Sequence, residues 1–198
     1  MVKRGSDILL SFFGLVLFSP LLLWIGFLIK KEDRGPVFYR GIRAGEKGKL
    51  FRIFKFRTMV VNADKIGGPS TANDDPRITR VGVFLRKYKL DELPQLINVL
   101  KGEMSFVGPR PEVPEYVNLF TEEEKQVLTV RPGLTDWASI WNSDEGSILA
   151  GSLDPEKTYL EKIRPQKIKL QLEYVRNHNF LTDIKIVVLT IAKIIRRS

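Results

Sequence analysis

Two acidic residues stand side by side at positions 91 and 92, inside the string LDELPQLINVLKGEMSFVGPRPE (residues 90–112). Adjacent carboxylates most often complement the positive end of a helix. The company of this pair favours a chemical role. Lys55, Arg57, Arg77, Arg80, Arg86, Lys87 and Lys89 precede it, and Lys101, Arg110 and Arg131 follow. Many of these are ordinary solvated charges. Arg110, however, is held in Gly-Pro-Arg-Pro, where two prolines restrict the backbone, and a preset guanidinium suits two-point recognition of phosphate. A carboxylate can bind Mg²⁺ or attack phosphorus, while cations stabilise the charge that develops. The constellation suits chemistry on a phosphorylated lipid or nucleotide.

Composition narrows the alternatives. The 198 residues carry 32 Lys and Arg against 23 Asp and Glu, a formal net charge of +9. That balance fits a nucleic acid, an anionic membrane or a phosphorylated substrate without choosing among them. There is no cysteine, which excludes disulfides and thiol catalysis, and the single histidine, His178, speaks against a His-based zinc site or a His-dependent triad. The segment AGEKGK (44–49) superficially suggests a phosphate loop, but Arg43 and Leu50 stand where glycine and Ser or Thr are needed, so a hairpin turn is the better reading.

The elements that must position these residues follow from pattern. VFYRGIR (37–43) and LFRIFKFR (50–57) are β-rich on either side of that turn. The loop 62–76 is polar, and Asp74 and Asp75 within it suit turn or capping roles better than metal ligation. ITRVGVFLRKYKL (78–90) reads as a helix. In the next segment Leu93, Leu96, Ile97 and Leu100 make one apolar helical face, and Pro94 requires the helix to start near Leu90 or Asp91. MSFVGPRPE (104–112) reads as a short strand entering a rigid loop, and Thr121 caps a short helix over TEEEKQVLTV. Residues 155–178 and 182–197 form two further helices, the last suited equally to a membrane interface or a core.

The N-terminus poses a topological question. Ile8 to Ile29 carries no charge over 22 positions, roughly 33 Å as a straight helix and enough to cross a bilayer. A signal peptide is disfavoured by the Lys30-Lys31-Glu32-Asp33 sequence that follows. Pro20 removes a donor and crowds the Val16 carbonyl, and Ser19 can ease the break, leaving arms of roughly 14–17 Å. A kinked spanning helix and a re-entrant hairpin are equally consistent with this run alone; basic residues at both ends lean towards the hairpin.

Four strings, FKFRTM (54–59), PRITRVGVFLRK (76–87), residues 90–112 and RPGLTDWASIW (131–141), together with the Ser-Pro in an apolar run, resemble the bacterial sugar transferases, the monotopic phosphoglycosyl transferases. The resemblance runs over nearly the whole chain. It implies transfer of a sugar-1-phosphate from a UDP-sugar to undecaprenyl (polyprenol) phosphate, with release of UMP. It further implies Asp91 as nucleophile at the β-phosphorus and as ligand of Mg²⁺, with Glu92 assisting. Lys55, Arg86 and Arg110 match basic positions that grip phosphates, with Arg131 a weaker match, and Ser19 and Pro20 match the break of a re-entrant membrane helix.

The implied fold class is α/β, mixed and mainly helical: a membrane-associated domain with a small β-hairpin or sheet. Residues 1–34 form the re-entrant hairpin, broken at Ser19-Pro20, and residues 35–198 a catalytic domain with interfacial amphipathic helices on the cytoplasmic face of the bacterial inner membrane. The chain looks like the minimal form of the family, without the spanning helices that precede the domain in larger relatives. It departs from the family pattern at Asp136, where many relatives have glycine, and at Ser139-Ile140, where they have Gln-Val. Donor identity therefore does not carry over. The pattern leaves open the sugar, the glycan built and the oligomeric state, a homodimer included. Two other classes compete. A non-catalytic membrane adaptor has no need of the acidic pair and Arg110, and a nucleic-acid binder has no need of the apolar run and lacks a binding motif.

Overall fold

The structure is a computed structural model and describes residues 2–196; Arg197, expected in the last helix, lies outside them. Helix α1 spans Val2–Asp33 with Pro20 inside it. Its most apolar 18-residue window has a mean hydropathy of 2.4 and is 11% buried, so it is long and apolar enough to cross a membrane by length and composition. The sequence reading expected an interruption at Ser19-Pro20, but the element continues through it as helix. The reason is local. The Val16 carbonyl, which Pro20 cannot serve, accepts the Ser19 hydroxyl at 2.8 Å.

Both ends of α1 are tied to the rest of the chain. Near its start, the Lys3 ammonium donates to the Val107 carbonyl, the Tyr174 hydroxyl and Asp183, and the Arg4 guanidinium to the carbonyls of Val99 and Leu100. Buried Asp7 accepts from the Phe106 amide. Near its end, Glu32 accepts from the Arg80 amide and Asp33 pairs with Arg57. Between these anchors, Val16 to Pro20 are all exposed, whereas Ile25 and Ile29 are buried against Phe56 and Leu85.

Four short strands follow: β1 (Phe38–Tyr39), β2 (Ile42–Ala44), β3 (Leu50–Arg52) and β4 (Lys55–Phe56). β2 and β3 pair as the expected antiparallel hairpin, and β1 pairs antiparallel with β4 so that Tyr39 faces Lys55. The turn between β2 and β3 holds Lys47 and Gly48 at positive φ, 56° and 74°, which closes a hairpin rather than cradling a ligand. Asp75 pairs with Arg77 and Asp74 accepts from the Gly151 amide, in keeping with turn roles.

Helix α2 (Arg80–Lys87) begins at Thr79, whose hydroxyl caps the Gly82 amide. A 3₁₀ segment (Leu90–Gln95) runs directly into α3 (Leu96–Lys101). Its orientation corrects the amphipathic reading. Of the expected apolar face only Leu96 is buried, where α3 lies against Gly14 of α1, while Leu93, Ile97 and Leu100 are half-buried. The side buried most deeply carries Asp91, Gln95, Asn98 and Val99. Polar residues turn inward here, the arrangement of a site rather than of a core.

Strand β5 (Ser105–Val107) pairs in parallel with β6 (Gly133–Thr135), a pairing the sequence reading missed. Between them lie α4 (Pro114–Val117) and a 3₁₀ segment (Glu124–Thr129), and Thr121 and Glu124 exchange the expected capping bonds ahead of the latter. After β6 come α5 (Trp137–Trp141), α6 (Glu145–Leu149), α7 (Pro155–Thr158), a π-helical turn (Tyr159–Ile163), α8 (Arg164–Asn177) and α9 (Phe180–Arg196). Helix α9 packs one side into the core and leaves the other exposed. Ile186 is buried beside Val107 and Tyr174, whereas Leu181, Val188 and Ile195 form an exposed apolar stripe.

Candidate active site

The fold brings Lys55, Asp91, Glu92 and Arg110 into one cluster. Asp91 and Glu92 occupy the first turn of the 3₁₀ segment, entered through Lys89 in a left-handed conformation (φ 57°). Lys55 is presented by β4, and Asn98 fixes that strand to the helix bearing the acids: it accepts the Phe54 amide at 2.8 Å and donates to the Arg52 carbonyl at 3.0 Å. The Lys55 ammonium therefore stands 2.9 Å from Asp91 Oδ2 and 3.3 Å from Glu92 Oε1.

Arg110 arrives from the loop after β5. There Gly108 and Gly133 bring two backbones so close that a Cβ at Gly108 would stand 2.3 Å from the Arg131 carbonyl oxygen. Arg110 grips both oxygens of Glu92, Nη1 to Oε2 at 2.9 Å and Nη2 to Oε1. Burial by itself would raise the Glu92 carboxyl. The charges of Arg110 and Lys55, the Arg110 hydrogen bonds and the Lys89 charge overcome that and hold it well below its ordinary value. Glu92 is therefore a fixed anion. Its charge raises Arg110 in turn, against burial.

Asp91 is 2% exposed, and its Oδ1 has no hydrogen-bond partner in the protein. A buried carboxylate oxygen without a partner is rare and signals a group meant for something else. The outer edge of the cluster is cationic, with Lys55 and Arg110 side chains 24% and 32% exposed against 2% and 14% for the two acids. An arriving anion meets those cations first.

Arg86, in the last turn of α2, lies close enough for the charges of Asp91 and Glu92 to act on it, and its Nε donates to the Thr58 hydroxyl at 3.1 Å. Lys89 also joins the field, acted on by Glu92, Arg110, Lys55 and Asp91. From the sequence Lys89 is one of the cations preceding the acidic pair, with no role of its own. Arg131 does not join the cluster. Its backbone touches the Arg110 loop, but its side chain turns away to Glu46 (3.5 Å) and lines a cavity of about 250 Å³ with Lys3, Arg4, Asp7, Ser105 and Tyr174.

Ser19 and Pro20 sit far along the apolar helix and are exposed, apart from the cluster. Lys3 and Arg4, flanking charges in the sequence reading, and Asp7, which it did not single out, moor the start of that helix.

Comparison with known proteins places this geometry. The family model described as bacterial sugar transferase matches residues 1–197. A UDP-N-acetylgalactosamine-undecaprenyl-phosphate N-acetylgalactosaminephosphotransferase of Aeromonas hydrophila is 39% identical over 197 residues, 98% of this chain and 44% of that protein. A UDP-glucose:undecaprenyl-phosphate glucose-1-phosphate transferase of Escherichia coli K12 is 41% identical over 98% of this chain and 40% of its own length. The uncharacterized sugar transferase EpsL of Bacillus subtilis is 36% identical over 98% of this chain and 88% of its length. This chain thus spans less than half of the first two relatives. The match over the whole sequence and the clustered acids and cations lead to one conclusion: the chain belongs to the bacterial sugar transferase family.

Proposed function

We propose that the protein is a phosphoglycosyl transferase that moves a sugar-1-phosphate from a UDP-sugar to undecaprenyl phosphate, opening the assembly of a membrane-linked glycan. The observation that carries this reading is the unpartnered Oδ1 of buried Asp91, whose other oxygen pairs with Lys55 beside the Arg110–Glu92 ion pair. Two of the relatives named above, those of Aeromonas hydrophila and Escherichia coli, by their names act on undecaprenyl phosphate with UDP-sugar donors.

In the proposed reaction the donor diphosphate settles on Lys55, Arg86 and Arg110. An Asp91 oxygen attacks the β-phosphorus, the bond from that phosphorus to the bridging oxygen breaks, and UMP leaves with the electron pair. The phosphosugar is then held as an aspartyl ester. An oxygen of undecaprenyl phosphate attacks the same phosphorus and the Asp91 carboxylate departs, giving the polyprenyl-diphosphate-sugar. Glu92, locked by Arg110, keeps that guanidinium in place while charge shifts across the phosphates. The like charges of nucleophile and donor repel, and the cationic edge offsets that repulsion.

Mg²⁺ fits the residues present. It takes oxygen ligands, commonly one or two carboxylates plus substrate phosphates, and Asp91 Oδ1 is an oxygen with its lone pairs unused. Asp91 would hold the ion, which when bound supplies Lewis-acid neutralisation of the diphosphate. No group of three or more His, Cys, Asp or Glu converges among the described residues, which suits an ion shared with substrate.

The acceptor is a lipid, and the anchoring of α1 supports a monotopic placement. A straight helix of 32 residues is about 48 Å long, yet residues near both its ends bond to the same domain. On this reading the two ends share the cytoplasmic side, and the exposed stretch Val16 to Pro20 enters the bilayer. The exposed apolar stripe of α9 rests on the same interface. Screening UDP-sugars for UMP release with undecaprenyl phosphate, with Asp91→Asn as control, tests the activity. Release that persists in the variant would remove Asp91 from the reaction.

A further inference from the structure

Asp136 is fully buried, 0% exposed, between β6 and α5. Each of its oxygens has separate work. Oδ1 caps α5, accepting from the Ser139 amide and the Ser139 hydroxyl, both at 2.7 Å. Oδ2 accepts from the Arg110 amide at 3.2 Å and from Gln171 Nε2 at 3.1 Å. That Gln171 nitrogen also reaches the Arg110 carbonyl at 3.5 Å, so both backbone polar groups of Arg110 are tied to one buried pair. Arg110 lies between Pro109 and Pro111, which have no N–H, and its amide is therefore the one main-chain donor of this tripeptide. A cap needs Oδ1 alone. The second oxygen holds the loop that carries Arg110, directly through the Arg110 amide and by way of Gln171.

We propose that Asp136 is a positioning residue: it fixes the main chain of Arg110 so that the guanidinium meets Glu92 and, on the reading given above, the donor diphosphate. A glycine here, as in the family pattern, would leave the Arg110 amide to some other acceptor. Asp136 thus acts on the phosphate end of the donor through Arg110 and need not touch the sugar.

Asp136→Asn isolates this role. Asparagine keeps the shape and the cap, and Gln171 can turn its amide round to suit the new side chain. The Arg110 N–H cannot turn, and it faces an NH₂ group in place of an acceptor. The expected loss in kcat/KM for UMP release is about tenfold, the effect of one buried donor left unpaired. A double-mutant cycle with Arg110→Ala separates positioning from general damage. The amide of residue 110 survives in Arg110→Ala, so Asp136→Asn should lower the melting temperature equally in both backgrounds, yet lower turnover only where the guanidinium is present. Gln171→Leu should repeat the dependence on Arg110 more weakly, and serves if Asp136→Asn does not fold. Equal fold losses of turnover in both backgrounds, or no loss in either, would overturn the proposal.

Amide exchange over residues 108–112 gives a readout free of the reaction. Faster exchange in Asp136→Asn supports the proposal and unchanged exchange contradicts it. If the unmodified protein releases UMP from no donor, the functional reading fails while the exchange result still decides the role of Asp136.

Discussion

Arg110 and Glu92, 18 residues apart in sequence, form a two-pronged ion pair directly beside Asp91, whose own partner is Lys55. The carboxylate proposed as nucleophile is thereby flanked by a neighbour that is already neutralised. Arg110→Lys keeps the charge but loses the fork, and a single ammonium cannot hold Glu92 and a phosphate in fixed geometry. Turnover should fall by about a hundredfold, the scale of losing one preorganised donor. Steady-state kinetics of UMP release, alongside a melting curve showing the fold retained, check this.

The same pair sets a pH dependence. The folded-state value of Glu92 lies well below the ordinary 4.5. The stability its ionisation contributes is present above that pH, and is lost as pH falls through the folded-state value. The melting temperature of the unmodified protein minus that of Glu92→Gln should hold steady above pH 4.5 and narrow below it. A gap that widens on acidification would contradict the pairing.

Behind the Arg110 loop, Lys167 lies 2.5 Å from Glu112, both nearly buried, and donates to the Tyr159 hydroxyl at 3.0 Å. Burial by itself would lower Lys167; the Glu112 charge, with the Tyr159 hydroxyl and the Glu145 charge, overcomes it and raises the ammonium well above its ordinary value. Lys167→Met strands a buried carboxylate and should cost about 3–5 kcal/mol, measured by denaturant unfolding. Pairing it with Glu112→Leu should recover much of that loss.

Topology is testable because the chain has no cysteine. Single Val2→Cys and His178→Cys variants provide clean reporters near the start of α1 and on the domain. Both should react with a membrane-impermeant maleimide in inside-out vesicles and be protected in intact spheroplasts. Labelling of Val2→Cys from the periplasmic side alone would mean that α1 crosses the bilayer.

The sequence made the site legible where residue type and rigid spacing coincide. Gly-Pro-Arg-Pro announced a preset arginine, and the acidic pair at a helix start announced fixed charges. The β2–β3 hairpin and the Thr121 neighbourhood followed from turn and capping chemistry. Long-range pairing was not legible. Nothing local tells that β5 lies parallel to β6, since that register depends on the mutual approach of Gly108 and Gly133. For the same reason Arg131 was grouped with Arg110, although its side chain runs to Glu46. The inward polar side of α3 was hidden by periodicity. Leucines mark the stripe that meets α1, while Asp91, Gln95 and Asn98 take the buried side because the site lies there. Pro20 was read as a break, but a single serine hydroxyl keeps the backbone helical through it.

The central claim is that Asp91 carries the phosphosugar between two half-reactions. Radiolabelled UMP, incubated with the protein, Mg²⁺ and the UDP-sugar it accepts, measures this most directly when no lipid acceptor is added. The account predicts that label enters the UDP-sugar, and that Asp91→Asn abolishes the exchange. Absence of exchange with a donor proven in the complete reaction would contradict the covalent intermediate and make Asp91 a base in a direct transfer.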